Sequence, residues 1–363
     1  MTNVSFAERS TLQDMTAYRA KESANADGSS RITFDLSSNE LAHPPLATVL
    51  AGIEEDLSRL GRYPDPTARD LTEEIARHLG ASTDEVAVGP GSAGVLQQIL
   101  LGLCGAGDEV VYAWPGFDAY PLLVAISGAT SVHVPLTASG HHDLDEIRTR
   151  VNARTKVVIL CSPHNPTGTI IDQGKLHAFL HSLPDHVVTV LDEAYVEFER
   201  GGDPPGKPEV LRAHGKTVVL RTFSKAYGLA GLRVGYAAGP RQVMATVRKT
   251  AIPFGVTRLA ERAAILSLRS GPELRERLAA VTAARAELTA GLRELGLPVL
   301  PSHANFVWLP LTSAAQSFAE VAAAEGVKVR ASPGQGVRIS VGEAEAHRIL
   351  LRALGRRDRG NLF

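Results

Sequence analysis

Arg221-Thr222-Phe223-Ser224-Lys225-Ala226-Tyr227-Gly228-Leu229-Ala230-Gly231-Leu232-Arg233-Val234-Gly235-Tyr236 decides how the chain is read. It follows the apolar run Thr217-Val218-Val219-Leu220, which predicts a buried strand. A single lysine stands at the strand's end, with hydroxyls before it and glycines after it. The glycines let backbone and ligand come close. A nucleophilic lysine must shed its proton, and desolvation or a nearby cation helps it do so. Lys225 alone reads more readily as a solvated loop lysine, since most lysines are exposed.

Two upstream runs end in the same manner. Residues 156–161 form a near-continuous apolar stretch, as expected for a strand covered on both faces, and run into Ser162-Pro163-His164-Asn165-Pro166-Thr167-Gly168. Residues 186–191 do the same and end in Asp192-Glu193-Ala194-Tyr195. A carboxylate at the end of a buried strand is costly unless it meets a cation, so Asp192 is a candidate partner for a positively charged ring nitrogen, with metal ligation or helix capping as alternatives. In an open α/β sheet, ligands gather at the carboxyl ends of strands, where Asn165, Asp192 and Lys225 all fall. Residues 86–88, the turn Gly89-Pro90-Gly91-Ser92-Ala93-Gly94 and a helix over 95–103 outline an anion site, whose free N–H groups would face a phosphate. Many such turns hold nothing. Arg338, between Val337 and Ile339 in a predicted strand, suits a two-pronged contact to a carboxylate or a sheet salt bridge.

These motifs together resemble the fold-type I aminotransferases that use pyridoxal 5′-phosphate, within them the histidinol-phosphate aminotransferase-like group, and most closely its aromatic amino acid (phenylalanine) subgroup. The resemblance covers most of the central chain. It implies an α/β fold: a large domain with a seven-stranded, mostly parallel sheet covered by helices, and a smaller C-terminal α/β domain. The expected division is an arm over 1–40, a cofactor domain over 41–250 and a small domain over 251–363. By the same resemblance Lys225 carries the cofactor and moves the substrate proton, and Asp192 holds the pyridine nitrogen. Asn165 and Tyr195 serve the ring oxygen, and Phe117 stacks on the ring. Gly91, Ser92, Ala93, Thr222, Ser224 and Arg233 anchor the phosphate. Tyr63, before Pro64, would cross a homodimer interface to the partner's site. Asn39 in Ser37-Ser38-Asn39-Glu40, with Arg330 and Arg338, would meet the substrate. Histidinol-phosphate enzymes carry an acidic pair after the Gly-Ser; here Ala93-Gly94 stand instead. That departure favours an aromatic donor with 2-oxoglutarate as acceptor, while Arg330 and Arg338 keep L-histidinol phosphate as the alternative. Decarboxylation and a cofactor-binding regulator are more distant readings; the arm is short and not basic, unlike a DNA-binding module.

Composition agrees. A chain of 363 residues with 44% apolar content can bury a large core in two domains. The formal net charge of −1, with both signs interspersed, is no nucleic-acid or membrane footprint. Cys104 and Cys161 lack metal-ligand spacing and read as reduced core thiols of a cytosolic protein. No apolar h-region opens the chain, so no secretory signal is expected. No metal is expected either.

Overall fold

The apolar runs at 156–161, 186–191 and 217–220 become adjacent inner strands of one sheet. The computed structural model describes residues 9–13, 15, 32–199 and 214–356. In chain order the strands are β1 (Phe34–Asp35), β2 (Val86–Gly89), β3 (Glu109–Trp114), β4 (Thr130–Pro135), β5 (Thr155–Cys161) and β6 (Val188–Asp192). There follow β7 (Thr217–Thr222), β8 (Gly235–Ala238), β9 (Phe306–Leu309), β10 (Val327–Lys328), β11 (Arg330–Ser332) and β12 (Gly336–Ser340). A seven-stranded sheet has the order β2-β8-β7-β6-β5-β3-β4. Its pairs from β7 to β4 are parallel, and only β8 runs against its neighbours. Val157, Val158, Leu160, Val190, Leu191 and Val218 are fully buried, because helices cover both faces.

The C-terminal part builds a separate antiparallel sheet, β11-β12-β9. β1 pairs in parallel with β10, and Leu36 is buried in the cluster of Leu288, Val307, Val337 and Ile339. The segment around Phe34, expected within an arm, therefore packs with the C-terminal sheet. Likewise the helix Arg258–Arg269 shares a core with Leu71 and Ile75 of the helix Arg69–Leu79.

Several expected bounds change. Residues 297–300 read in sequence as a strand, but they form none and make one ladder-like bond, Leu300 N–H to Trp308 C=O at 3.1 Å. Pro298 has no N–H to donate there. Residues 327–330 read in sequence as one strand, but the structure splits them at Val329 into β10 and β11, each with a different partner. Residues 46–60 read in sequence as one amphipathic helix, but the helix stops at Glu54 and a separate helical turn covers Leu57–Arg59. The helix expected from residue 95 begins at Gly91, so the glycine turn is the helix's own first turn. The helices Tyr120–Ser127 and Gln173–Ser182 carried no prediction. Tyr120–Ser127 is apolar nearly all round and lacks the polar face that gives a helical period its contrast. Cys104 is half-buried rather than core. Within the arm, residues 12–18 read in sequence as a helical patch; the structure is helical at Ser10–Gln13, and the remainder of the patch lies largely outside the described residues, as does most of the charged stretch at 356–359, which reads as a solvated tail.

Candidate active site

Because β5, β6 and β7 are adjacent and parallel, the loops after them converge at one edge of the sheet. There they line a cavity of about 370 Å³ with Asn165, Asp192, Thr222, Ser224 and Lys225. The end of β3 adds Phe117, and the helix at Gly91 adds Ser92 and Ala93. The C-terminal sheet supplies Arg330 and Arg338, and the segment after β1 supplies Asn39.

Asp192 is the last residue of β6 and is buried. Tyr120 donates its hydroxyl to Oδ2 at 2.6 Å, and Ala194 N–H donates to Oδ1 at 3.2 Å. Burial pushes the carboxyl up to about 6, although both donors favour the ionised form. The group is thus poised to take up a buried cation.

Lys225 Nζ donates to the backbone carbonyls of Asn39 at 3.1 Å and Ser38 at 3.3 Å. Burial and then the Arg338 charge hold its amine down to about 8, with Glu40 opposing them. Asn39 has a left-handed backbone, φ 54°, and is buried. Its Nδ2 donates to the Tyr195 hydroxyl at 3.0 Å, and its backbone N–H donates to Ser340 Oγ at 2.8 Å. An asparagine tolerates this φ better than most residues. Asn39 therefore orients Lys225 and Tyr195 together.

Arg233 sits where the phosphate end was expected, also with a left-handed backbone, φ 54°. Its Nη1 donates to Ala230 C=O at 2.7 Å and lies 3.4 Å from Ser224 Oγ. Gly91 explains the approach: a Cβ there would stand 2.6 Å from Arg233 Nη2, and φ is +78°. A Cβ on Gly235 would stand 2.4 Å from Ser92 N. Two glycines thus bring β8, Arg233 and a helix start into one anion cradle. Thr222 Oγ1 accepts from Ser224 N–H at 3.1 Å and fixes that turn.

Arg338 donates from Nη1 to Asn165 Oδ1 at 2.6 Å and from Nη2 to Ser37 C=O at 2.7 Å. Its guanidinium lies 5.6 Å from the Phe306 ring centroid. Arg330 Nη2 forms an ion pair with Asp118. Phe117 meets Tyr120 edge-on at 5.4 Å.

Every predicted site residue therefore lines this cavity except Gly91, which supports it through Arg233, and Tyr63. Tyr63 is 82% exposed and packs beside Phe254, ring centroids 5.1 Å apart. Sequence reasoning missed Tyr120 and Asp118, three and one residues beyond Phe117, because only the chain's turn into a helix at Tyr120 carries that ring to Asp192. Glu193 is structural: it is buried against Arg221, whose Nε donates at 2.8 Å, and burial pushes its carboxyl up to about 8. Buried His164 bonds Thr167 and faces no ligand group. Among the described residues no cluster suits a metal ion, and no helix is long and apolar enough to cross a membrane.

The family model for aminotransferase class I and II matches residues 31–354. The chain belongs to that family and is an aminotransferase. It is 44% identical over 356 residues to the aromatic amino acid aminotransferase of Streptomyces avermitilis, covering 98% of this chain and 99% of that protein. It is 42% identical over 333 residues to the protein of the same name from Mycolicibacterium vanbaalenii, covering 92% and 93%. Its fold is similar to the crystal structure of histidinol-phosphate aminotransferase from Sinorhizobium meliloti in complex with pyridoxal-5′-phosphate, with TM-score 0.89, 29% identity and 97% of each chain covered.

Proposed function

We propose that the protein moves the amino group of an aromatic L-amino acid (phenylalanine, tyrosine or tryptophan) to 2-oxoglutarate, using pyridoxal 5′-phosphate held at Lys225. The observation that carries this reading is the meeting of Lys225, Asp192 and Arg233 around one cavity. The fit to that cofactor is good at three points. Asp192 is a buried carboxylate suited to a pyridinium N–H. The cradle of Ser92, Ala93, Thr222, Ser224 and Arg233, kept open by Gly91, suits a phosphate. Lys225, its amine held down to about 8, suits covalent attachment of an aldehyde.

When bound, the cofactor supplies a sink for the electron pair left as the substrate Cα–H bond breaks. Lys225, once its amine is free, would take the Cα proton and return one on the far side of the substrate nitrogen, two bonds away, acting as base and then as acid. Arg338 holds the α-carboxylate and so fixes which face of Cα meets Lys225. Asn165, its carbonyl already given to Arg338, offers Nδ2 to the ring oxygen, with the Tyr195 hydroxyl beside it. Phe117 covers the ring face.

The aromatic donor is supported by the names of the two relatives and by the absence of an acidic pair after Ser92. L-Histidinol phosphate is the second reading, favoured by Arg330 in the cavity wall. A homodimer with Tyr63 crossing to the partner's site, action in the cytosol, and an arm and two domains divided near residues 40 and 250 complete the proposal. The segment around Phe34 then lends its strand to the smaller domain. The test uses purified protein with cofactor, to which L-phenylalanine or L-histidinol phosphate is added without acceptor. Faster loss of the cofactor's visible band with phenylalanine supports the reading. Faster loss with histidinol phosphate replaces it, and no band at all overturns the cofactor assignment.

A further inference from the structure

We propose that Asn305 and Ser340 are positioning residues for Lys225: through Asn39 they fix, from the C-terminal sheet, where the lysine's free amine sits. This rests on the reading in which Lys225 carries the cofactor and moves the proton, and deepens it. Ser340 ends β12 and stands opposite Phe306, the first residue of β9. Asn305 directly precedes Phe306, and its C=O accepts from Val341 N–H at 2.8 Å. The two residues therefore share one end of the antiparallel pair, and both are buried. Neither lines the cavity, so their effect on its chemistry passes through Asn39.

Every polar group of Asn39 is engaged. Ser340 Oγ accepts from its backbone N–H at 2.8 Å and donates to its Oδ1 at 3.2 Å. Its Nδ2 donates to the Tyr195 hydroxyl. Its backbone C=O accepts from Asn305 Nδ2 at 3.1 Å and from Lys225 Nζ at the same distance. A carbonyl oxygen has two lone pairs, so Asn305 on one of them directs the other at Lys225. These contacts also hold the left-handed backbone at Asn39, which is unfavourable without them. A neutral amine has two N–H groups and one lone pair. With the N–H groups on the carbonyls of Ser38 and Asn39, the lone pair is left to face the cavity that Lys225 lines. There it must meet an aldehyde carbon or a substrate Cα proton. If the Asn39 carbonyl could swing, the amine would turn with it, and a displacement of about 1 Å costs a reacting group on the order of a hundredfold in rate.

The experiment uses the full-length cofactor-free protein at pH 9, where an amine held down to about 8 is mostly neutral, and two probes. Pyridoxal 5′-phosphate reacts with Lys225, and the growth of its visible band gives the rate. 4-Deoxypyridoxine 5′-phosphate lacks the aldehyde, and titration calorimetry with it reads the binding of ring and phosphate alone. Asn305→Ala is expected to slow band growth about tenfold, the scale of one lost hydrogen bond, and to leave affinity for the unreactive probe within about twofold. Ser340→Ala, which removes a single oxygen, is expected to do the same and is read in its place should Asn305→Ala fail to fold. Slowing of less than about threefold, or equal losses with both probes, overturns the proposal, since a merely structural role weakens both alike. Failure of the wider reading looks different. An unmodified protein that gains no band overturns the assignment of Lys225 and this role together, whereas a band that neither variant slows overturns this role alone.

Discussion

Arg338 Nη1 donates to Asn165 Oδ1 at 2.6 Å, joining β12 of the C-terminal sheet to the loop after β5 of the large sheet. A guanidinium has donors only, so the asparagine carbonyl must face it and the amide is turned to other use. Arg338→Lys and Asn165→Ala should each lower kcat/KM for phenylalanine by about a hundredfold, roughly 3 kcal/mol, as expected for a charge-assisted contact. Since they share one bond, the double variant should lose less than the sum, by about 1–2 kcal/mol in a double-mutant cycle. Full additivity would show that the contact does not couple substrate and cofactor groups.

Asp192 makes the cofactor-free protein pH-sensitive. Burial raises its folded pKa from 3.8 to about 6, so its stabilising contribution is complete below about 4 and is lost as pH rises through about 6. The loss amounts to about 3 kcal/mol. Cofactor-free Asp192→Asn should therefore melt above the unmodified protein at pH 7, and the gap should close by pH 4. With cofactor present the order at pH 7 should reverse, because the charge then has a buried partner. Parallel melting curves across this range would remove the argument.

Cofactor capture should follow the neutral form of Lys225. With its amine held down to about 8, the neutral fraction rises about tenfold between pH 7 and pH 9. The rate at which cofactor-free protein gains the visible band should rise accordingly. Arg338→Met, which removes a nearby positive charge, should move the midpoint upward. A rate that is flat between pH 7 and pH 9 would mean that another step limits capture.

Gly91→Ala meets two obstacles, φ of +78° and a Cβ 2.6 Å from Arg233 Nη2. Arg233 must then withdraw, and the left-handed backbone costs about 1 kcal/mol. Cofactor affinity should fall at least about tenfold by equilibrium dialysis, with only a modest drop in melting temperature. A large melting loss with unchanged affinity would make Gly91 a folding residue alone.

Tyr63 supplies the test of a shared site. Tyr63→Ala and Lys225→Ala should each be nearly inactive, yet co-refolded mixtures should regain activity, since a mixed dimer holds one site with Lys225 from one subunit and Tyr63 from the other. No recovery in a mixture shown to contain heterodimers would place Tyr63 in its own subunit's surface.

The sequence by itself determined the order of strands that end in Asn165, Asp192 and Lys225, because continuous apolar runs and the polar residues that stop them are local signals. It also carried Arg338 and the glycine-bearing helix start. Tertiary structure decided the rest. The missing strand at 297–300 and the split at Val329 follow from which partner offers hydrogen bonds, and pairing is not a local property. Tyr120 reaches Asp192 only because a helix starts at that residue, and Asn39 reaches Tyr195 only because the segment after β1 returns across the C-terminal sheet. The ion pair of Asp118 with Arg330 joins residues 212 positions apart, one in the loop after β3 and the other in β11. No periodicity records such a contact, since it is made by packing and by the charge that packing leaves to be matched.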